Sequence, residues 1–210
     1  MDEGWTRLIF DNFAIPYQSL HNADIRAGAA ELKRRVDVVI LPSVRPQSIL
    51  NGTAVDSTEP QYSGGLGVEG LTALQGFVEA GGVLIANDAS CDLLIEKLKL
   101  PVKNILKGKK REEFYCAGSI VRTRFDPTHP VAYGMPARGM GFFTRSRAFE
   151  LETAETVKAQ KALSEADKQL KLRRLKDYPT RVVAWYADSM LLISGWIFKP
   201  EVVEGRAAIT

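Results

Sequence analysis

One stretch constrains this chain more than any other: Gly64 to Leu100, GGLGVEGLTALQGFVEAGGVLIANDASCDLLIEKLKL. Val68, Leu71, Leu74 and Phe77–Val78 recur at helical spacing and predict one amphipathic helix. Gly81–Gly82 then stops it, because glycine accepts the left-handed conformation that a helix C-terminus needs. Val83–Ala86 is an unbroken apolar run, which predicts a strand covered on both faces. Asp88 and Ser90 offer side-chain oxygens to open a following helix, with Leu93, Leu94 and Leu98 on its buried side. Helix, tight turn, strand and helix make half of a parallel α/β unit. In such sheets ligands meet the protein where the carboxyl end of a strand joins the next helix, here Asn87 to Asp92.

The segment before it carries the same alternation. Asp2 is an N-cap candidate, and Trp5, Leu8–Ile9 and Phe13 form the stripe of a first helix that Pro16 ends. Tyr17–Leu20 reads as a short strand, Ala27 to Arg35 as a weak helix, and Val36–Leu41 (VDVVIL) as a second buried strand closed by Pro42. Pro46 to Gly65 reads as a long polar connection with turn signals at Asn51–Gly52 and Gly64–Gly65. The pattern predicts one α/β domain over residues 1–210, with a doubly wound, mostly parallel sheet and helices on both faces. Such domains begin on a strand, whereas this sequence starts on a helix. The expectation is a first strand upstream of Met1 and a last strand, from Gly205, that is cut short.

After Pro101 the character changes. Lys97, Lys99, Lys103, Lys107, Lys109, Lys110 and Arg111 cluster around a loop, as a solvated rim or a site for phosphate or an acidic partner. Ser119–Phe125 (SIVRTRF) alternates apolar with polar, as a strand with one wet face does. Asp126–Pro127 and Pro130 bracket a turn around His129, and Gly141–Phe149 holds another strand with Phe142, Phe143 and Phe149 as core candidates. Glu152 to Lys176 is rich in good helix formers and free of Gly and Pro, so a helical insertion at about 152–177 is expected, long and mostly exposed. Arg181–Tyr186 and Leu191–Ile197 are further strands.

Composition narrows the function classes. A net charge of +3 gives no argument for nucleic acid. No apolar run approaches the roughly 18 residues of a membrane span. The first residues, MDEGWTRLIF, are acidic where a secretory signal is basic. Two cysteines form neither a disulfide framework nor a zinc cluster, so they leave the compartment open.

Candidate chemistry is sparse. Cys91 lies near the carboxyl end of a parallel strand, where a helix N-terminus lowers a thiol pKa. A nucleophile elbow, however, sets its residue directly after the strand between small neighbours, and here the elbow region reads Asn87–Asp88–Ala89–Ser90. His129 is the candidate base for Cys91, or simply a turn residue. His21 with Asp24 spells H-x-x-D, too few ligands for a closed zinc site. Should a ligand bind at the strand end, Asn87, Asp88, Ser90 and Gly65 of the GGLG loop are placed to meet it. Tyr115 and Cys116 are then rim residues.

Together, MDEGWTR, DVVILP, GGLGVEG, FVEAGGVLIANDAS, EFYCAGSIVRTRFDPTHPVAYGMP and LLISGW give a resemblance. The chain is similar to the class I glutamine amidotransferase-like domain that follows the catalytic domain in bacterial zinc carboxypeptidases of the carboxypeptidase A type. The likeness covers most of the chain outside the 152–177 insertion. It implies a flavodoxin-like fold, and zinc bound by an upstream peptidase domain rather than by this segment. It also makes that peptidase domain the partner and puts the chain in a secreted or periplasmic protein. Amidotransferases of this class carry Cys in a glycine-flanked elbow and a later His with a Glu two residues on. Neither feature is present here, which implies a non-catalytic accessory domain. The alternatives are a stand-alone thiol amidohydrolase using Cys91 and His129, and an interaction module acting through the 152–177 helix.

Overall fold

A computed structural model describes residues 2–53, 59 and 63–210. The chain divides into two compact units, Met1–Leu98 and Lys99–Thr210.

In the first unit, helix α1 (Asp2–Asn12) is followed by α2 (Asn22–Arg26), α3 (Ala29–Arg35), strand β1 (Val38–Leu41) and α4 (Pro46–Asn51). Helix α5 (Gly67–Glu79), strand β2 (Val83–Ala86) and α6 (Ala89–Lys97) complete it. β1 and β2 pair in parallel, Val38 opposite Val83 and Leu41 opposite Ala86, with α5 supplying the crossover between them. Leu32, Leu66, Leu74, Phe77 and Leu93 are buried and form the centre of this unit. α5 ends as its sequence demands, with Gly81 at φ 84° and the Gly82 N–H donating to the Phe77 carbonyl at 2.9 Å.

Three expectations fail in this unit. Tyr17–Leu20 forms no strand; it runs as exposed coil, because no neighbouring strand offers it a ladder. β2 is not covered on both faces. By register Val38, Ile40, Val83 and Ile85 share one face, and Val38, Val83 and Ile85 are 45%, 52% and 41% exposed. The stripe of α1 is likewise in water, with no buried residue in that helix. The long polar connection also contains α4, opened by Pro46 at its first turn. Its remainder at 54–58 and 60–62 lies outside the described residues.

The second unit overturns the predicted fold class. Its strands are β3 (Val102–Asn104), β4 (Tyr115–Phe125), β5 (Arg138–Thr144), β6 (Phe149–Leu151), β7 (Ala184–Tyr186), β8 (Leu192–Ser194), β9 (Ile197–Phe198) and β10 (Ala207–Ile209). They form one eight-stranded sheet in the order β3-β6-β10-β7-β4-β5, with β8 and β9 also on β4, and every pair is antiparallel. The protein is therefore mixed α/β with a mainly antiparallel sheet and one small parallel pair. A doubly wound, mostly parallel flavodoxin-like sheet is excluded. The physical reason lies in the links. Parallel strands need a long crossover, and after β3 the chain has no helix between most consecutive strands, so they return antiparallel. Cys116, Val121, Phe143, Ala148, Tyr186, Leu191 and Val203 build this unit's core.

The insertion at 152–177 is two helices, α7 (Ala154–Ala159) and α8 (Glu165–Asp177). Ser164 breaks the run by accepting the Asp167 N–H on its Oγ (3.1 Å), an N-cap hidden inside a helix-rich composition. Lys171 of α8 points inward to Glu152, 2.5 Å away, with both side chains under 10% exposed.

Candidate functional site

The turn from β2 into α6 is where the sequence placed the candidate site, and the structure gathers four of its residues there. Asn87 donates its N–H to the Leu41 carbonyl at 3.0 Å, which continues the parallel ladder one step past β2. Asp88 follows at φ 45°, ψ −108°, a left-handed conformation that L residues adopt only at a cost of about 1–3 kcal/mol. That is the sharp strand-to-helix turn of a nucleophile elbow. The residue at its apex is Asp88, three positions before the cysteine.

Ser43, just beyond β1, organises the turn. Its hydroxyl donates to Asp88 Oδ2 at 2.7 Å and accepts the Ala89 N–H at 3.4 Å. Ser43, rather than Asp88 or Ser90, therefore meets the first N–H of α6; Asp88 makes no side-chain cap. Sequence reading missed it because a serine after a strand-ending Pro42 looks like any loop residue. Ser90 is fully buried, donates Oγ to the Pro42 carbonyl and accepts the Val44 N–H at 3.2 Å. Its hydroxyl is a strut between the β1 and β2 ends and is not offered to solvent.

Cys91 stands in the first turn of α6, partly buried, and its Sγ donates to the Ala86 carbonyl at 3.1 Å. The candidate base is in the second unit: His129 precedes a 3-10 turn at Pro130–Ala132, and its Nδ1 accepts the Val131 N–H at 3.3 Å. The His129 ring thus helps to hold this turn through Nδ1. Asp126 holds the same turn by accepting from the N–H and hydroxyl of Thr128. The hydroxyl, then the amide, keeps its carboxyl below the usual carboxylate range.

The remaining candidates are structural or lie elsewhere. The Gly65 carbonyl accepts from Arg26, and that of Gly64 from Asn22 at 2.9 Å. A Cβ at Gly65 would come within 2.2 Å of the Leu50 carbonyl oxygen, so the GGLG loop is a close backbone crossing and needs its glycine there. His21 and Asp24 open α2, the His21 N–H donating to Asp24 Oδ2 at 2.7 Å. Arg35, hydrogen-bonded to Asp24 at 2.7 Å, is the main cause that holds its carboxyl below the usual range. Among the described residues no group of three His, Cys, Asp or Glu could hold a metal ion. Tyr115 belongs to the second unit, beside Trp196, and Cys116 is buried in that unit's core rather than at a rim.

No protein-family model, curated protein or solved structure matches this chain. No helix among the described residues is long and apolar enough to cross a membrane. At this turn a residue with strained backbone presents a carboxylate that accepts the Ser43 hydroxyl, with the buried Ser90 strut behind it.

Proposed function

We propose that this chain is an accessory segment of a zinc carboxypeptidase-type protein, related to amidotransferase-like modules but without their chemistry, and that it packs against the upstream peptidase domain. One observation carries the packing role. The first unit leaves Val38, Val83 and Ile85 of its parallel pair in water, together with Trp5, Leu8 and Ile9 of α1 and Phe13 just after it. Parallel strands are normally covered on both faces, and apolar surface of this extent marks an interaction site. The elbow supports the lack of chemistry: a carboxylate stands at its apex, and the thiol three residues on is engaged with a backbone carbonyl. Zinc, in this reading, belongs to the peptidase domain.

The size of the native protein in its own cells tests this first. An immunoblot band well above the calculated 23.2 kDa is expected. Coexpression follows: the peptidase domain should copurify with this chain and should lose it when Trp5 and Phe13 are both changed to Ser. A band at 23.2 kDa with no association overturns the proposal. The thiol amidohydrolase alternative predicts instead a Cys91 that alkylates with iodoacetamide far faster at neutral pH than an ordinary thiol.

A further inference from the structure

The second unit carries an exposed aromatic strip that its core does not use. Tyr115, at the start of β4, lies opposite Phe198 of β9, and Trp196 precedes Phe198 by two residues. Ring centres are 5.6 Å apart for Tyr115 and Trp196, and 6.2 Å for Trp196 and Phe198, which lie nearly parallel at 13°. Trp196 is 56% exposed.

Its backbone is nevertheless pinned. Buried Ser119 donates Oγ to the Trp196 carbonyl at 2.8 Å and accepts the Trp196 N–H at 2.9 Å. Gly195, at φ 100°, makes the clamp possible, since a Cβ there would stand 2.5 Å from Ser119 Oγ. A buried hydroxyl that pins the backbone beneath a large exposed ring leaves that segment of chain little freedom to lose on binding.

Cations sit at the margin of the strip. The Arg111 guanidinium lies 4.9 Å from the centre of the Tyr115 ring, and the Lys199 ammonium 5.3 Å from that of Phe198. Lys199 Nζ is steadied by the Glu112 carbonyl at 2.8 Å. Among the described residues Arg111 makes no ion pair, and exposed Lys110 adjoins it in sequence.

We propose that Tyr115, Trp196 and Phe198, with Arg111 and Lys199 beside them, form a docking surface for an acidic, partly apolar peptide segment. Charge complementarity selects the occupant: apolar side chains lie on the rings while flanking carboxylates reach the two cations. Trp, Tyr and Arg are also the residues that dominate binding energy where proteins meet. The surface lies wholly in the second unit, so the proposal stands whether or not the chain belongs to a peptidase.

Fluorescence anisotropy with a short labelled peptide alternating Asp and Leu tests it on the whole chain. The peptide should bind, more weakly at high salt, while its Lys-for-Asp counterpart should not. Trp196→Ala should weaken binding about tenfold or more, and so should the exposed pair Arg111→Glu with Lys199→Glu, which guards against misfolding as the cause. Trp196→Phe should keep much of the affinity, and Ser119→Ala should reduce it severalfold by loosening the backbone that carries the ring. No binding of the acidic peptide, or equal binding by natively folded Trp196→Ala, overturns the proposal. So does binding confined to an acidic saccharide such as oligogalacturonate, which would make the strip a sugar platform.

Discussion

In the first unit two strands run parallel, joined by the α5 crossover, and one of their faces stays in water. In the second, eight strands pair antiparallel and enclose a core in which Phe143 meets Tyr186 at 5.4 Å and Phe114 at 5.7 Å. The contrast follows from hydrogen-bond geometry. An antiparallel sheet grows by short returns and tolerates one wet face, whereas a parallel pair needs helices or further strands to cover it. Surface left over in the first unit is therefore a sign of something to be packed, and surface left over in the second needs its own argument. The clamped Trp196 supplies one.

The largest expected effect tests how far the second unit depends on charge inside. Lys171→Met leaves Glu152 buried without its partner and should cost about 3–5 kcal/mol, read by urea denaturation. Glu152→Leu added to it should return much of the loss, because the uncompensated carboxylate goes with it. Gln160, which donates to Glu152 Oε1 at 2.6 Å, would then be the group left short. In the first unit Leu74 is fully buried, and Leu74→Ala there should cost about 2–5 kcal/mol through the cavity it opens. If Leu74→Ala proves neutral, this unit is not an independently packed body and the comparison fails.

Ser43→Ala should cost about 1–2 kcal/mol, since it removes both the Asp88 contact and the cap on Ala89. Acid titration gives a further handle. The Asp24 carboxyl sits below its ordinary value, so its contribution is full above the unfolded value of about 3.9 and is lost as pH falls through the folded one. Thermal stability should drop on that acid limb, and Asp24→Asn should flatten the drop. The smallest effect is the most telling for function. Trp5→Ser with Phe13→Ser should change the isolated chain's stability by only about 0.5 kcal/mol for each site, because both rings are already in water. A large loss would mean that α1 packs inward and that the packing proposal rests on the wrong surface.

Much of the first unit was legible in residues. The helical spacing of α5, the Gly81–Gly82 stop and the apolar runs VDVVIL and VLIA each named their own element, because periodicity and backbone freedom are local properties; the stripe itself was only half right, since Val68 and Val78 stand in water and Gly70 and Ala73 join Leu74 and Phe77 on the buried face. The place of the turn was legible too, at Asn87 to Asp92, although Asp88, read as the residue that opens α6, makes no side-chain cap. Its organiser was not: Ser43 is 45 residues from Asp88, and only the pairing of β1 with β2 brings them together. Leu191–Ile197 read as one strand, yet Gly195 and Trp196 interrupt it at the Ser119 clamp.

The sequence by itself determined the strongest local elements, α5 with its glycine stop and the apolar runs of β1 and β2, and that neither histidine carries the pattern of an amidotransferase. Only the tertiary structure decided how those strands pair and which apolar faces stay in water. Pairing direction depends on contacts between segments far apart in the chain, and a strand's own residues look much the same in a parallel ladder as in an antiparallel one. Burial is likewise a property of neighbours, which is why the α1 stripe reads as core in sequence and stands in solvent in the fold.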